Sequence, residues 1–286
     1  MTISKLPKLP PRRKDAHKGD FGRALLVGGS RGMAGAIALA GMACLRGGAG
    51  LVRLAVPESI LDTVAGFEPS YMTLPLPADE AGRIAQSASD ILISHFAASD
   101  CVACGPGLSR SEELTRLVRT WFTTVPKPMV VDADGLFPLG ADAGGLITAG
   151  YPRVLTPHPG EFARLCGTPP DVRLPREQQV AEAVKLAEQY GLVILLKGHR
   201  TVITDGRRTV ENETGNPGMA TGGSGDVLTG LITALICQGL PAWEAAVLAA
   251  HVHGLAGDLA ASELTEVSLI ASDLIRYLPK ALRVVL

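Results

Sequence analysis

Five short apolar runs in this chain each end on a cluster of small or polar residues, and longer amphipathic stretches separate them. The runs are "RALLVGG" (23–29), "CVACGPG" (101–107), "KPMVVDADGL" (127–136), "YPRVLTPHPGE" (151–161) and "LVILLKG" (192–198). "GLVRLAVP" (50–57) reads as a further strand. Helical patterns fall at 34–48, 58–66, 111–122, 176–191, 226–238 and 242–262, and "SDLIRYLPKAL" closes the chain. In 176–191, Val180, Val184 and Ala187 recur at helical spacing. Fully apolar strands alternating with helices argue for a parallel sheet covered by helices on both faces, because each strand face needs an apolar partner. "TVITDGRRTVEN" departs from the pattern and predicts a hairpin turning at Asp205-Gly206.

At 286 residues and 47% hydrophobic, the chain can bury a large core, and that apolar content excludes intrinsic disorder. The Ala/Gly loop 140–150 is too short to be a linker, so one domain is expected from residue 18 to 286. It is preceded by a proline-rich arm, 1–17; the first 22 residues carry six Lys or Arg against two Asp and lack the apolar core of a signal peptide. A net charge of -1 gives no basis for a nucleic-acid or membrane surface, and no apolar run has the ~18 residues of a membrane span. Five scattered cysteines point to a reducing cytoplasm. Cys101 and Cys104 form a CxxC without a second ligand pair, and Gly105-Pro106-Gly107 follows where a redox motif would open a helix. Both are expected to be buried strand residues.

Open parallel sheets bind ligands outside the carboxyl ends of their strands. Here those ends deliver Gly28-Gly29-Ser30, Gly105-Pro106-Gly107, Asp132-Ala133-Asp134, Thr156 to Glu161, and Lys197-Gly198-His199. Ordinary turn chemistry accounts for any one of these, but Lys197 and His158 have no turn role. Neither a dinucleotide GxGxxG nor a Walker A loop is present. "NPGMATGGSGDVLTGLITAL" (216–235) has a different logic. Gly222, Gly223 and Gly225 allow successive backbone N–H groups to face one concavity, and the helix that opens there adds its positive end. Asp226 in its first turn is either a carboxylate that suits the helix dipole or a base beside an anion pocket.

The string "GGSGD" opening a late helix resembles the anion hole and catalytic aspartate of ribokinase-like kinases. The longer "NPGMATGGSGDVLTGLI" resembles the ADP/ATP-dependent NAD(P)H-hydrate dehydratases. "KGDFGRALLVGGSRGMAGAIALAG", "ACGPGL", "VVDADGL", "LTPHPGEFARL" and "LLKGHRTVITD" match that family in the same order, over nearly the whole chain. The resemblance implies an α/β, ribokinase-like three-layer αβα sandwich with a central, mostly parallel sheet. It also implies a lyase that repairs (S)-NAD(P)H-hydrate with ADP as phosphoryl donor and Mg²⁺ as cofactor. The stand-alone form is expected, without the epimerase domain that precedes it in many organisms, and as a homotetramer.

Carried over residue by residue, Asp226 is the base and a substrate contact, and Ala36, Gly107 and His158 are further substrate contacts. Lys197, Gly198, His199, Arg200, Thr201 and Gly225 correspond to the nucleotide segment. Gly222, Gly223, Ser224 and Gly225 correspond to the anion hole, with Asn216 a candidate support at its entrance. No metal ligand is assigned; Asp132 and Asp134 either position Mg²⁺ through water or only cap their loop. His251 and His253 are two apart on a helix, so they do not form an i, i+4 metal pair, and "SELTE" (262–266) reads as a solvated turn. A kinase of a vitamin precursor (hydroxymethylpyrimidine, thiazole or pyridoxal type) is the alternative reading of the same fold.

Overall fold

A computed structural model describes residues 5–140, 146–148, 150–169, 172 and 174–286. The Ala/Gly loop at 140–150 therefore lies mostly outside the described residues. Its strands are β1 (Arg23–Val27), β2 (Leu51–Pro57), β3 (Met72–Leu76), β4 (Cys101–Cys104), β5 (Met129–Val131), β6 (Arg153–Leu155), β7 (Val193–Leu196), β8 (Val202–Thr204) and β9 (Thr209–Glu211). They form one sheet in the order β3-β2-β1-β4-β5-β6-β7-β8-β9. All pairs from β3 to β7 are parallel; β8 and β9 add the antiparallel hairpin expected from Asp205-Gly206.

The helices are α1 (Ala34–Arg46), α2 (Leu61–Ala65), α3 (Ala88–Ala98), α4 (Glu112–Thr124), α5 (Pro159–Leu165), α6 (Arg176–Tyr190), α7 (Ser224–Cys237), α8 (Ala242–Leu264) and α9 (Ala271–Val285). The period-two alternation hidden in the apolar strands emerges in the core. Ala24, Leu26, Cys101, Ala103, Val130, Val154 and Leu195 pack toward α1, α7, α8 and α9. Leu25, Val27, Val102, Cys104, Val131, Leu155 and Ile194 pack toward α3, α4, α5 and α6. Both CxxC cysteines are thus buried strand residues, one on each face.

Helix α7 is the central helix: every residue is buried except Gly225 and Asp226, which reach the rim. A helix apolar all round belongs inside. Its approach to α1 is closed by Gly230, where an added Cβ would stand 1.9 Å from the Ala40 carbonyl oxygen.

β3, α3 and α5 were not expected from the sequence. β3 is an edge strand that tolerates Pro75, a residue that argues against a strand when read alone. α5 begins at Pro159-Gly160, which resembles a loop, yet His158 and Glu161 cap it reciprocally. The polar loop expected after β5 is instead a 3-10 helix, Ala133–Leu139.

Candidate active site

Strand order reverses between β1 and β4, the kind of position at which open α/β sheets bind ligands beyond the carboxyl ends of their strands. The loops above this rim are joined by backbone hydrogen bonds that continue the ladder. Gly29 N–H donates to the Pro106 carbonyl (2.8 Å), Asp132 N–H to that of Cys104 (3.1 Å), Thr156 N–H to Val131 (3.2 Å) and Lys197 N–H to Pro157 (2.9 Å). Ser30 Oγ donates to the Gly107 carbonyl at 2.9 Å. Gly105 lies against the Asp132 loop at φ +129°, where a Cβ would be 1.8 Å from the Asp132 carbonyl oxygen, so only glycine fits. The five strand ends are thereby fixed in one surface.

At its centre Lys197 Nζ donates to Asp132 Oδ1 (2.7 Å) and stands 4.0 Å from Glu161 Oε2. Thr229 Oγ1, one turn below Asp226 on α7, donates to the other Asp132 oxygen at 2.7 Å. Both Asp132 oxygens are therefore engaged within a side chain only 1% exposed. Lys197 is no solvated cap: its side chain is 21% exposed. Burial opposes its charge, but Asp132 and Glu161 outweigh that and raise its pKa.

Asp226 differs from Asp132, since no hydrogen bond reaches its carboxylate among the described residues. Burial first, then the charge of Asp132, push its pKa up to about 7; Lys197 opposes, and Asp134 and Glu161 add to the rise. A carboxyl held near neutrality with free lone pairs is suited to accept a proton. Gly225 precedes it, and a Cβ there would meet Lys197 Nζ at 3.2 Å and Asp132 Oδ2 at 3.5 Å. The first turn of α7 thus rests directly on the Lys197–Asp132 pair.

Gly223, at φ +94°, is the N-cap of α7, so the helix starts just before Asp226 and its N-terminal end points to the rim. Ser224 Oγ is buried there with no hydrogen-bond partner. Its carbonyl meets His253 Nε2 at 2.9 Å; a carbonyl accepts, so that nitrogen carries the proton. Burial, the dominant cause, lowers His253 to about 4, so it is a neutral donor. This histidine, set aside in the sequence as half of an impossible metal pair, braces the glycine turn from α8.

Ala36 and Gly107 come together, with a Cβ on Gly107 3.1 Å from that of Ala36. Asp134 holds the loop beyond, accepting from Ser109 N–H (3.0 Å) and Arg110 Nε (2.9 Å). His158 Nδ1 accepts the N–H groups of Gly160 (3.0 Å) and Glu161 (3.3 Å), which leaves Nε2 to donate. The turn Lys197 to Thr201 is held by Arg176, whose guanidinium donates to the carbonyls of Leu196, Lys197 and Arg200. Gly198 and Arg200 both take positive φ there. Neither Arg176 nor Thr229 was singled out in the sequence. Asn216 makes no hydrogen bond to Asp226; it caps its own turn through Gly218 N–H and donates to Asp258 Oδ1 on α8 (3.0 Å).

The profile of the NAD(P)H-hydrate dehydratase family matches residues 24–280. The chain belongs to that family. A bifunctional NAD(P)H-hydrate repair enzyme of Moorella thermoacetica is 47% identical over 278 residues, 96% of this chain and 52% of that protein. The chain thus spans about half the length of such relatives. An ADP-dependent (S)-NAD(P)H-hydrate dehydratase of Cenarchaeum symbiosum is 35% identical, covering 96% of this chain and 93% of its own length. Among solved structures, the ADP/ATP-dependent NAD(P)H-hydrate dehydratase of Bacillus subtilis, co-crystallised with ATP/Mg²⁺, superposes with a TM-score of 0.81 at 30% identity. That match covers 97% of this chain and 95% of the other. The ribokinase-like sandwich expected from the motifs is therefore the fold of this dehydratase family member. A hydroxyethylthiazole kinase from Pyrococcus horikoshii, at TM-score 0.54 and 18% identity, shares the fold alone.

Proposed function

We propose that this chain catalyses the ADP-dependent dehydration of (S)-NAD(P)H-hydrate, giving NAD(P)H, AMP and phosphate. The observation that carries the reading is Asp226, unbonded and held at about 7 in the first turn of α7, beside a buried lysine. The substrate hydroxyl is a poor leaving group as hydroxide. Asp226 takes its proton while the oxygen attacks the β-phosphorus of ADP, and AMP departs with the bridging oxygen. Phosphate then leaves the ring carbon as the adjacent ring nitrogen donates its lone pair. Loss of a proton from the neighbouring carbon restores the ring double bond.

In this reading the N–H groups of Gly222 to Gly225 and the unpartnered Ser224 hydroxyl bind the transferring phosphoryl group. Lys197 to Thr201 hold the nucleotide, and Ala36, Gly107 and His158 contact the hydrated dinucleotide. Asn216 supports the turn at a distance, through Asp258 and Gly218. Asp132, Asp134 and Glu161 outnumber Lys197 around Asp226, a balance that suits a cation arriving with the diphosphate. No group of three side chains able to cage a metal occurs among the described residues. Asp132, with both oxygens taken, would hold Mg²⁺ only through water. The ion would neutralise charge on the transferring phosphate. The reading extends to a cytoplasmic enzyme acting as a homotetramer; no helix is long and apolar enough to cross a membrane among the described residues.

Hydrated NADH incubated with ADP and Mg²⁺ should regain the near-ultraviolet absorbance of the dihydronicotinamide ring, with AMP and phosphate released in equal amounts. AMP production that needs a vitamin-type alcohol and ignores the hydrate would overturn the proposal.

A further inference from the structure

At the opposite rim of the sheet, a cavity of about 400 Å³ opens between the amino ends of β1, β2 and β3 and helix α3. It is separated from Asp226 by the length of β1, roughly 15 Å. Leu25, Arg53 and Met72 stand in register on three adjacent strands, and Leu25 lies on the face that packs toward α3. His95 of α3, Ser99 and the exposed side chains of Lys18 and Arg23 complete the polar lining. No Asp or Glu lines it, and none of these three cations forms an ion pair among the described residues.

Arg53 is the informative residue. Its guanidinium donates to His95 Nδ1 at 3.0 Å and approaches Met72 Sδ at 3.7 Å, both of them uncharged partners. Because arginine can only donate, His95 accepts through Nδ1 and keeps its proton on Nε2. Burial and then the Arg53 charge lower the pKa of His95, in keeping with a neutral ring. The fold treats a structural arginine differently. Arg153, fully buried, spends its guanidinium on the carbonyls of Phe122, Val125 and Lys127 at 2.7–2.9 Å. Half-buried charge without carbonyl or carboxylate partners is costly unless an anion completes it.

We propose that this cavity is a second binding site, specific for a small organic phosphate monoester with an apolar body. Arg53, Arg23 and Lys18, together with His95 Nε2–H, supply the charge and donors that a dianionic phosphate requires. The Leu25 side of the cavity takes the apolar body, and the volume lies within the ~300–1,000 Å³ of small-molecule sites. The site is independent of the chemistry at Asp226.

Phenyl phosphate serves as the probe, with the full chain saturated by ADP and Mg²⁺ so that the α7 turn does not compete. The readout is the ¹³C-methyl resonance of Met72, assigned through M72L. A saturable shift is expected with phenyl phosphate, a weaker one with inorganic phosphate, and none with phenol. R53Q and R23Q should each weaken binding about tenfold or more, as for loss of one charge-assisted contact, while hydrate turnover stays unchanged. R23Q lies on an exposed strand end, so its result stands even if R53Q folds poorly. An unmoved Met72 signal, an equal response to phenol, or full binding in R23Q would each overturn the proposal.

Discussion

Asp226→Asn separates the two consequences of a buried base, because it should cost activity and add stability. The carboxyl lies at about 7 against an ordinary value of 3.8. At about 1.4 kcal/mol per unit, that difference sets a ceiling of roughly 4 kcal/mol on the strain of ionising it in the folded protein. The side chain is not fully enclosed and solvent screens part of the charge, so ~1–2 kcal/mol is the expected gain. The sign follows from proton uptake. Between ~4 and ~7 the folded protein holds a proton that the unfolded chain has released, so Asp226 lowers stability as pH rises through that window. The loss is complete above it. Asparagine removes the effect, and D226N should melt a few degrees above wild type at about pH 8 but by a smaller margin at about pH 5. Differential scanning fluorimetry at the two pH values reads this directly. The same variant should lose ~10²–10⁴-fold in turnover. A D226N protein that is no more stable than wild type at the alkaline pH, or whose advantage is greater in acid, would refute the account of Asp226 as a strained, desolvated carboxyl.

Replacing Lys197 by Met removes a cation that lowers the Asp226 pKa, so the rising limb of kcat/KM against pH should move above about 7; an unmoved limb in a pH-rate series would separate the two residues electrostatically. His253 has the opposite linkage to Asp226. Its value of about 4 lies below the ordinary 6.5, so the unfolded chain binds the extra proton and stability falls as pH drops from ~6.5 to ~4. His253→Gln retains a donor for the Ser224 carbonyl, and urea titrations across that window should show a flatter acid limb. Gly230→Ala places a methyl 1.9 Å from the Ala40 carbonyl and drives α1 from α7; a loss of about 3 kcal/mol or more is expected in the urea midpoint.

The parts of the site that were legible in the sequence are those written locally. Apolar runs ending in glycine or aspartate announced strand ends, and "GGSGD" announced a helix N-terminus facing an anion. What was not legible depends on closure between distant segments. Lys197 reaches Asp132 across 65 positions, and Thr229 reaches it across 97. His253 acts only because α8 crosses the start of α7, a relation that spacing along its own helix cannot express. β3 was hidden by the proline that an edge strand admits, and α3 with it.

This closure also sets the three aspartates of the rim apart. Asp132, Asp134 and Asp226 all stand at strand or helix ends; the glycine run before Asp226 singled it out in the sequence, and the contacts of the three carboxylates differ as well. Asp132 is held at both oxygens by an ammonium and a hydroxyl, and Asp134 by a backbone amide and a guanidinium. Each of those partners occupies lone pairs that an incoming proton would need. Asp226 has no such partner among the described residues; burial first, and then the charges of Asp132, Asp134 and Glu161 against that of Lys197, push it toward neutrality. The pairing of Asp132 with Lys197 and Thr229 thus does more than brace the rim: it fixes a negative charge next to Asp226 and leaves Asp226 as the carboxylate of the three best placed to take a proton.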